Sequence, residues 1–299
     1  MSNVYQALKK AERDRQQKDD TSSFTKMEEM TAEVEEMISE PEAKDHEKAI
    51  VDKRIITLSH ADALGAEQFR KLRTYILRHN FLQPMKTIMV TSAIAHEGKS
   101  FVAANLAAGI AQDLHARSLL VECDLRRPTL SQWFGLRNGK GLSDYLKGNG
   151  EISELMKETT VEKMEILPAG SIQSNPAELL ASNKMKALLS ELKARYDDRY
   201  IIIDSTPLLA TAEPEILSKL VDGIIFVIKA GLTPRETVKR AVKLIDPEKI
   251  VGVILNNITF KSKAVFGRYY GADHYYSGYG YGRNGMESKG HLKKLFRRG

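Results

Sequence analysis

The sequence predicts an α/β fold in which a mostly parallel sheet is covered by helices on both faces. Segments with strand and helix character alternate throughout residues 84–258. The predicted strands are continuous apolar runs, which is typical of strands that are buried on both faces. We therefore expect one main domain, residues 55–260, with flexible extensions at both ends.

Composition limits the classes of protein to which the chain can belong. Its 299 residues and 42% hydrophobic content allow a substantial core. The single cysteine, Cys123, excludes a disulfide framework and a cysteine-based zinc site, and it fits a reducing cytoplasm. No run of about 18 apolar residues occurs, so we expect no membrane span, and the charged N-terminus is not a secretory signal.

Two regions precede the main domain. Residues 1–20 are expected to contain a helix, over 3–18, that docks on a partner or a membrane surface. A solvated, fraying helix fits its thin apolar stripe equally well. Residues 21–54 are acidic and poor in aromatics. Because such a segment buries too little apolar surface to offset its ordering entropy, we expect a flexible linker.

The first helix of the main domain is predicted over residues 61–79. Glu67, Arg70 and Arg73 recur at intervals of three, so their side chains project from neighbouring positions on one face. For most helices this pattern means only a solvated charged face with internal ion pairs.

A phosphate-binding loop is predicted next. A strand over residues 86–90 leads to the stretch 93–100, which reads AIAHEGKS, and a helix is predicted over 101–114. In such a loop, backbone N–H groups and the positive end of the helix cradle phosphates. Lys99 would reach the terminal phosphates and the Ser100 hydroxyl would bind Mg²⁺. The alternative is an ordinary strand-to-helix turn with a solvated lysine.

Acidic residues follow two further apolar strands. The strand over residues 118–123 leads into Asp124, and the strand over 200–203 leads into Asp204. Both acids would lie at the carboxyl edge of the sheet, where open α/β sheets bind ligands. Asp204 alone would be read as a turn residue, but downstream of a phosphate-binding loop it becomes a candidate for holding Mg²⁺.

The remaining elements complete the alternation. Asn175 is expected to cap the helix at 176–180. Asn256 follows the last strand, where its amide either reads a nucleotide base or ends a turn. The other predicted elements are short helical or irregular pieces at 130–134, 143–147 and 152–157, strands at 165–170, 223–229 and 250–255, and helices at 184–195 and 235–245.

Residues 261–299 form a glycine-rich tail with a basic end. The glycine content excludes a stable helix, so we expect a disordered segment. Such a tail also fits a sticky low-complexity end, a base-stacking platform for single-stranded nucleic acid, or a contact with an anionic surface. Six of the chain's 11 tyrosines lie here: Tyr269, Tyr270, Tyr275, Tyr276, Tyr279 and Tyr281.

Over about residues 55–285 the chain resembles the bacterial tyrosine kinases of capsular and exopolysaccharide systems. The family's loop ends in Gly-Glu-Gly-Lys-Ser/Thr and begins with alanine or serine, as Ala93 does here. Ala95 and His96 replace the usual proline and glycine, and a histidine tolerates a left-handed backbone better than a β-branched residue does. The family's Asp-x-Asp-x-Arg motif appears with Glu122 for its first aspartate, and the Asp-Ser/Thr-Pro-Pro motif with Thr206 for a proline.

Two further motifs support the resemblance. The family's subunit-contact motif, Glu-x-x-Arg-x-x-Arg, is matched by Glu67, Arg70 and Arg73, and the terminal tyrosine cluster is matched too. Related partition and cell-division-site ATPases share the phosphate-binding-loop sheet but lack this helix and tail. The resemblance thus implies a P-loop NTPase fold of the MinD/ParA-like type.

The resemblance also implies roles for individual residues. Catalysis is expected of Lys99, Glu122, Asp124, Arg126 and Asp204. Mg²⁺ is expected at Ser100, Asp124 and Asp204. ATP is expected to contact Ala93, His96, Glu97, Gly98, Lys99, Ser100, Phe101 and Asn256. The six tail tyrosines would be the phosphoacceptors.

The implied partners are further copies of the chain, assembled as a ring through the Glu67, Arg70 and Arg73 helix. A membrane chain-length regulator would activate the kinase, and a cognate tyrosine phosphatase would oppose it. These partners imply a cytoplasmic protein at the inner face of the membrane, with no nucleic acid bound. The rival hypotheses are a switch ATPase of the partition type, a nucleotide-binding scaffold without kinase activity, and a nucleic-acid binder using the basic, aromatic end.

Overall fold

The structure is a computed structural model that describes residues 51–61, 63–78, 85–136 and 139–258. These residues form a sheet of seven strands in the order β3-β4-β2-β5-β1-β6-β7. The strands are β1 (Thr87–Ser92), β2 (Arg117–Glu122), β3 (Lys157–Glu158), β4 (Met164–Leu167), β5 (Arg199–Asp204), β6 (Gly223–Lys229) and β7 (Ile250–Asn256). The strand pairs are parallel except β3 with β4. The predicted mostly parallel sheet is confirmed.

Helices lie between most of the strands. Those described are α1 (Ile56–Ser59), α2 (Leu64–Arg78), α3 (Lys99–Ala111), α4 (Leu130–Trp133), α5 (Leu142–Lys147), α6 (Ile152–Leu155), α7 (Pro176–Leu180), α8 (Asn183–Arg195), α9 (Glu213–Ser218) and α10 (Arg235–Val242), with a 3₁₀ turn at Pro247–Lys249. None of them is long and apolar enough to cross a membrane.

The central strands are buried on both faces, as their continuous apolar runs predict. On one face Ile88, Leu120 and Ile202 pack with α3 and α2. On the other face Met89 and Ile201 pack with α8, α9 and α10. Alternate residues of one strand point to opposite faces, so each strand supplies both layers of core.

Several local predictions are wrong. A helical or irregular segment was predicted over 152–157, but the helix ends at Leu155. Lys157 and Glu158 pair with β4 as the antiparallel strand β3. Asn175 occupies the N-cap position of α7, but its side chain donates and accepts no capping hydrogen bond. Helix α9, with a proline in its first turn, was not predicted. The expected docking helix, most of the linker and the tail lie outside the described residues.

Candidate active site

The phosphate-binding loop joins β1 to α3, as predicted. His96 has φ 64° and Gly98 has φ 95°, so both adopt the left-handed backbone that the expected loop requires. A Cβ atom at Gly98 would lie 2.1 Å from Nδ2 of Asn256, which leaves no room for a side chain. Lys99 and Ser100 form the first turn of α3, where the positive end of the helix is available to phosphates.

Glu97 holds this loop in shape from inside the protein. Its side chain is buried, and its carboxylate accepts hydrogen bonds from the backbone N–H of Ile94 at 2.7 Å and of Lys229 at 3.2 Å, and from the hydroxyl of Thr233. The amide of Asn256 donates to the Glu97 carbonyl at 2.9 Å. The loop is therefore tied to the ends of β6 and β7.

Lys99 lies among carboxylates. Its Nζ is 3.4 Å from Oδ2 of Asp124 and 3.3 Å from the Ser100 hydroxyl. Burial would lower the pKa of Lys99, but the charges of Asp204 and Asp124 outweigh burial and the pKa is raised. The lysine is therefore a fixed positive charge at the mouth of the loop.

Asp204 ends β5 beside the loop strand and is almost fully buried. Its Oδ1 atom accepts no hydrogen bond from any described residue. Burial raises the pKa of this carboxyl to about 6, against the opposing effects of Lys99 and the Ser100 hydroxyl. A buried carboxylate oxygen without a hydrogen-bond donor is costly, and a bound cation would offset that cost.

Glu122 is already fully hydrogen-bonded. One carboxylate oxygen accepts the N–H groups of Thr129 at 2.5 Å and Leu130 at 2.7 Å, and the other accepts the Ser131 hydroxyl at 3.2 Å and the Ala169 N–H at 3.3 Å. Burial raises the pKa of Glu122, and these four donors oppose the rise. Its contacts are those of a residue that orders the loop after β2.

Asp124 and Arg126 differ from Glu122 in exposure. Asp124 accepts the Arg127 N–H on one oxygen, at 3.0 Å, and faces Lys99 with the other. Arg126 donates to Glu213 through Nε at 3.1 Å and Nη2 at 2.9 Å. Glu213 was not among the residues predicted from the sequence, although an acid beside a proline in the first turn of a helix is a recognisable signal.

The other predicted nucleotide contacts gather beside the loop. Phe101 and Asn256 line one cleft of about 510 Å³, together with Phe69 and Asn257. The rings of Phe101 and Phe69 meet edge to face, with their centroids 5.8 Å apart. Asn256 also uses its amide oxygen to accept the Asn257 N–H at 2.8 Å. Its base-reading role stays a prediction.

The residues at the loop fit a magnesium ion. Mg²⁺ prefers hydroxyl and carboxylate oxygens, and Ser100, Asp124 and the unpartnered oxygen of Asp204 are of these types. Asp124 and Ser100 both approach Lys99, and the Ser100 hydroxyl is near enough to Asp204 to lower the pKa of its carboxyl group. The donor set predicted from the sequence is therefore brought together at one edge of the sheet.

Comparison with characterised proteins identifies the family. The tyrosine-protein kinase YwqD of Bacillus subtilis (strain 168) is 35% identical over 223 residues, which cover 74% of this chain and 92% of that protein. This chain belongs to the bacterial tyrosine-protein kinases. The expected enzyme class and the P-loop NTPase fold are confirmed.

Two further relatives support the same family assignment. The putative tyrosine-protein kinase CapB of Staphylococcus aureus is 32% identical over 210 residues, covering 70% of this chain and 91% of that protein. The kinase domain of the Escherichia coli tyrosine kinase ETK matches with a TM-score of 0.63 at 27% identity, over 70% of this chain and 81% of that one. No family model matches the sequence.

The predicted subunit-contact residues of this kinase lie on α2. Arg70 pairs with Glu67 at 2.7 Å and also donates to the Ala61 carbonyl at 2.9 Å. Arg73 donates to the Gly109 carbonyl of α3 at 3.2 Å. All three side chains thus have partners within the chain, and their contact with another subunit stays a prediction. The tail tyrosines lie outside the described residues.

Proposed function

We propose that this kinase transfers the γ-phosphoryl group of MgATP to the tyrosines of residues 269–281 in a neighbouring copy. The single observation that carries the proposal is the loop at which Lys99, Ser100, Asp124 and Asp204 converge. Preorganised charge of this kind is where most of the catalysis of phosphoryl transfer lies. Mg²⁺, held by Ser100, Asp124 and Asp204, would neutralise charge on the phosphates.

The chemistry is a single displacement. The tyrosine oxygen attacks the γ-phosphorus, a new O–P bond forms, and the bond from that phosphorus to the bridging oxygen breaks to release ADP. Lys99 and the loop amides stabilise the charge on the transferring group. The tyrosine proton passes to Asp124, because Glu122 is buried and its oxygens already accept four hydrogen bonds, whereas Asp124 is partly exposed and accepts one on each oxygen. A carboxylate acceptor is needed because a free tyrosine hydroxyl has a pKa of about 10.

Transfer between copies agrees with the length of the tail. The acceptor tyrosines lie 11 to 23 residues beyond Ile258, and flexible chains of these lengths have a root-mean-square reach of roughly 17–29 Å. Transfer between copies would therefore need the neighbouring active site to lie within about this distance. The basic residues near the C-terminus add positive charge on the same segment as the acceptors.

We also place the kinase in polysaccharide synthesis. The kinase would assemble as a ring through Glu67, Arg70 and Arg73, a membrane chain-length regulator would activate it, and a tyrosine phosphatase would remove the phosphates that it adds. Residues 1–20 would recruit it to the inner face of the membrane. Deleting these residues should abolish recruitment in a membrane-flotation experiment while ATP hydrolysis continues, and recruitment that persists would refute the assignment.

Intact mass tests the activity. The purified chain and its Lys99→Met variant are incubated with MgATP, and we expect steps of one phosphate in the wild type alone, mapped to residues 269–281. ATP consumption without a change in mass would indicate a switch ATPase. The absence of both ATP consumption and a mass change would indicate a nucleotide-binding scaffold.

A mixing experiment tests transfer between copies. An active chain with its six tail tyrosines changed to phenylalanine is added to the Lys99→Met chain, whose own tail is intact. Phosphate on the Lys99→Met tail can come only from another subunit. If the wild type is phosphorylated and this mixture is not, transfer occurs within one chain.

A further inference from the structure

A second cavity lies at the same edge of the sheet, beyond the catalytic carboxylates. Its volume is about 670 Å³, and it runs between the loop after β2 and the loop after β4. Its charged lining residues, within the described part of the chain, are Arg126, Arg127 and Lys140, so no carboxylate lines it. We call it the cationic groove. Its volume falls in the usual range for ligand sites.

Two of the three cations are not neutralised by the protein. Arg126 is held by Glu213. Arg127 and Lys140 are exposed, and neither has a carboxylate partner within 4 Å among the described residues. Exposed cations along a concave surface, with no acid between them, favour an anionic ligand.

The groove begins at the catalytic turn itself. The N–H of Arg127 donates to Oδ1 of Asp124 at 3.0 Å, and the Gln173 N–H donates to the Leu125 carbonyl at 3.0 Å, which joins the two loops. A ligand in the groove would therefore lie next to the residue that we assign to the acceptor proton. That position suits a part of the peptide close to the reacting tyrosine.

The charge of the acceptor segment changes during the reaction. Between Tyr269 and Tyr281 the only aspartate, glutamate, lysine or arginine is Asp273. Each added phosphate brings about −1.5 to −2 charges. The unmodified cluster therefore carries too little negative charge to bind Arg127 and Lys140 well, whereas the phosphorylated cluster has charge complementary to both.

We propose that the cationic groove holds a phosphotyrosine of the tail while the next tyrosine reacts. This inference rests on the proposed function and gives that reaction a product subsite. An extended chain spans about 3.3–3.6 Å per residue. Tyr270 and Tyr275 are then at most about 18 Å apart, and Tyr279 and Tyr281 about 7 Å. One tail can therefore be modified repeatedly without leaving the enzyme.

Binding is tested with two labelled peptides of residues 268–282, one unmodified and one phosphorylated at Tyr275. Fluorescence anisotropy with the full chain is measured at saturating MgADP, so that the nucleotide site is occupied. We expect the phosphopeptide to bind at least about tenfold more tightly, since charge-assisted hydrogen bonds to Arg127 and Lys140 form only with phosphate. The Arg127→Ala/Lys140→Ala variant should lose this preference.

The matched control removes the same charge elsewhere. Lys186 and Arg240 are exposed on α8 and α10, so Lys186→Ala/Arg240→Ala should keep the preference for the phosphopeptide. Equal binding of the two peptides to the wild type, or an unchanged preference in the groove variant, would overturn the proposal. So would loss of phosphopeptide binding on addition of MgADP, because the anion would then occupy the nucleotide site.

The product distribution gives a second readout that does not depend on rate. At about 20% total conversion, the wild type should yield chains with several phosphates beside unmodified chains. The groove variant, stopped at the same total conversion, should yield mainly singly phosphorylated chains. Identical distributions would contradict the proposal. If the wild type gains no phosphate at all, the kinase reaction is refuted. The peptide measurement would still test whether the cationic groove binds phosphotyrosine.

Discussion

Glu122 and Asp124 are two residues apart at the end of β2, yet their surroundings fit them for different tasks. Four donors fix both oxygens of Glu122, whereas Asp124 keeps one oxygen directed at Lys99. The resemblance alone left both acids as candidates for the acceptor proton. The contacts favour Asp124, and they explain how a longer acid can replace the family's aspartate at position 122.

Substitution should separate the two acids. Asp124→Asn keeps the shape but removes the proton acceptor, so we expect kcat to fall by about 10²–10⁴-fold with little change in the free energy of unfolding. Glu122→Gln places an NH₂ group against donors and should cost about 1–3 kcal/mol of stability. Steady-state kinetics and urea unfolding measure both quantities. A larger loss of kcat in folded Glu122→Gln than in Asp124→Asn would reverse the assignment.

At the scale of elements, the phosphate-binding loop keeps its shape through the hydrogen bonds of a buried side chain. Glu97 lies at the centre, since it accepts hydrogen bonds from Ile94 within the loop, from Lys229 at the end of β6 and from Thr233 beyond β6. These contacts join the loop to the β6–α10 connection. A disturbance at Thr233 is therefore expected to reach the nucleotide.

Glu97→Gln tests this connection. One end of the amide becomes a donor and meets a backbone N–H, so we expect a loss of about 1–3 kcal/mol in the free energy of unfolding. Weaker nucleotide binding should accompany it. Urea unfolding and titration with a fluorescent ATP analogue measure the two effects. Glu236→Gln on exposed α10 is the control and should change stability by less than about 0.5 kcal/mol. Equal effects in the two variants would contradict the role of Glu97.

A similar arrangement fixes the opposite edge of the sheet. Asp222 lies before β6 and accepts the N–H groups of Lys86 and Thr87, each at 3.0 Å, and it pairs with Lys193 of α8. Burial would raise the pKa of Asp222, but hydrogen bonds from Lys193, Thr87 and Lys86 outweigh it and the pKa is lowered below its ordinary value of 3.8. One carboxylate thus joins β1, β6 and α8.

The lowered pKa predicts a pH dependence. A carboxyl group whose pKa is lower in the folded state stabilises the fold above its unfolded pKa, and this contribution disappears as the pH falls through the folded pKa. Asp222→Asn should therefore cost about 1–3 kcal/mol at pH 7. The difference from the wild type should stay constant down to about pH 5 and shrink below about 3.8. Asp197→Asn, at an exposed site, should show no such trend in urea unfolding. A pH-independent difference would rule out the ionic contribution.

The sequence predicts the long, regular parts of this fold better than the short ones. The apolar runs of β1, β2, β5 and β6 and the motif around Lys99 identify the central sheet and the site, because burial on both faces leaves a continuous pattern. The two-residue strand β3 has no pattern of its own and exists only because β4 offers it a partner. The charge of the groove is equally hidden, since Arg127 follows β2 and Lys140 lies between α4 and α5, and the two line one cavity only in the folded chain.

At the scale of the whole molecule, the three motif residues of α2 make contacts of two kinds. Arg73 reaches the Gly109 carbonyl of α3 and so supports the fold of one subunit. Glu67 and Arg70 pair with each other and remain about one-third exposed. Because neither residue of this pair has a hydrogen bond to another helix among the described residues, we expect the pair to be the part of the motif that contacts a second subunit.

Phosphorylation should weaken an assembly built in this way. Six phosphates would add about −9 to −12 charges to each tail. The cationic groove would hold one phosphotyrosine at a time, so the remaining phosphates of fully modified tails repel one another and disfavour insertion into neighbouring sites. We therefore expect wild type incubated with MgATP to show a lower mass by light scattering than the Lys99→Met protein. Removal of the phosphates by a tyrosine phosphatase should restore the larger assembly, which would exclude irreversible damage. If fully phosphorylated and Lys99→Met proteins have the same mass, the tail does not control the ring.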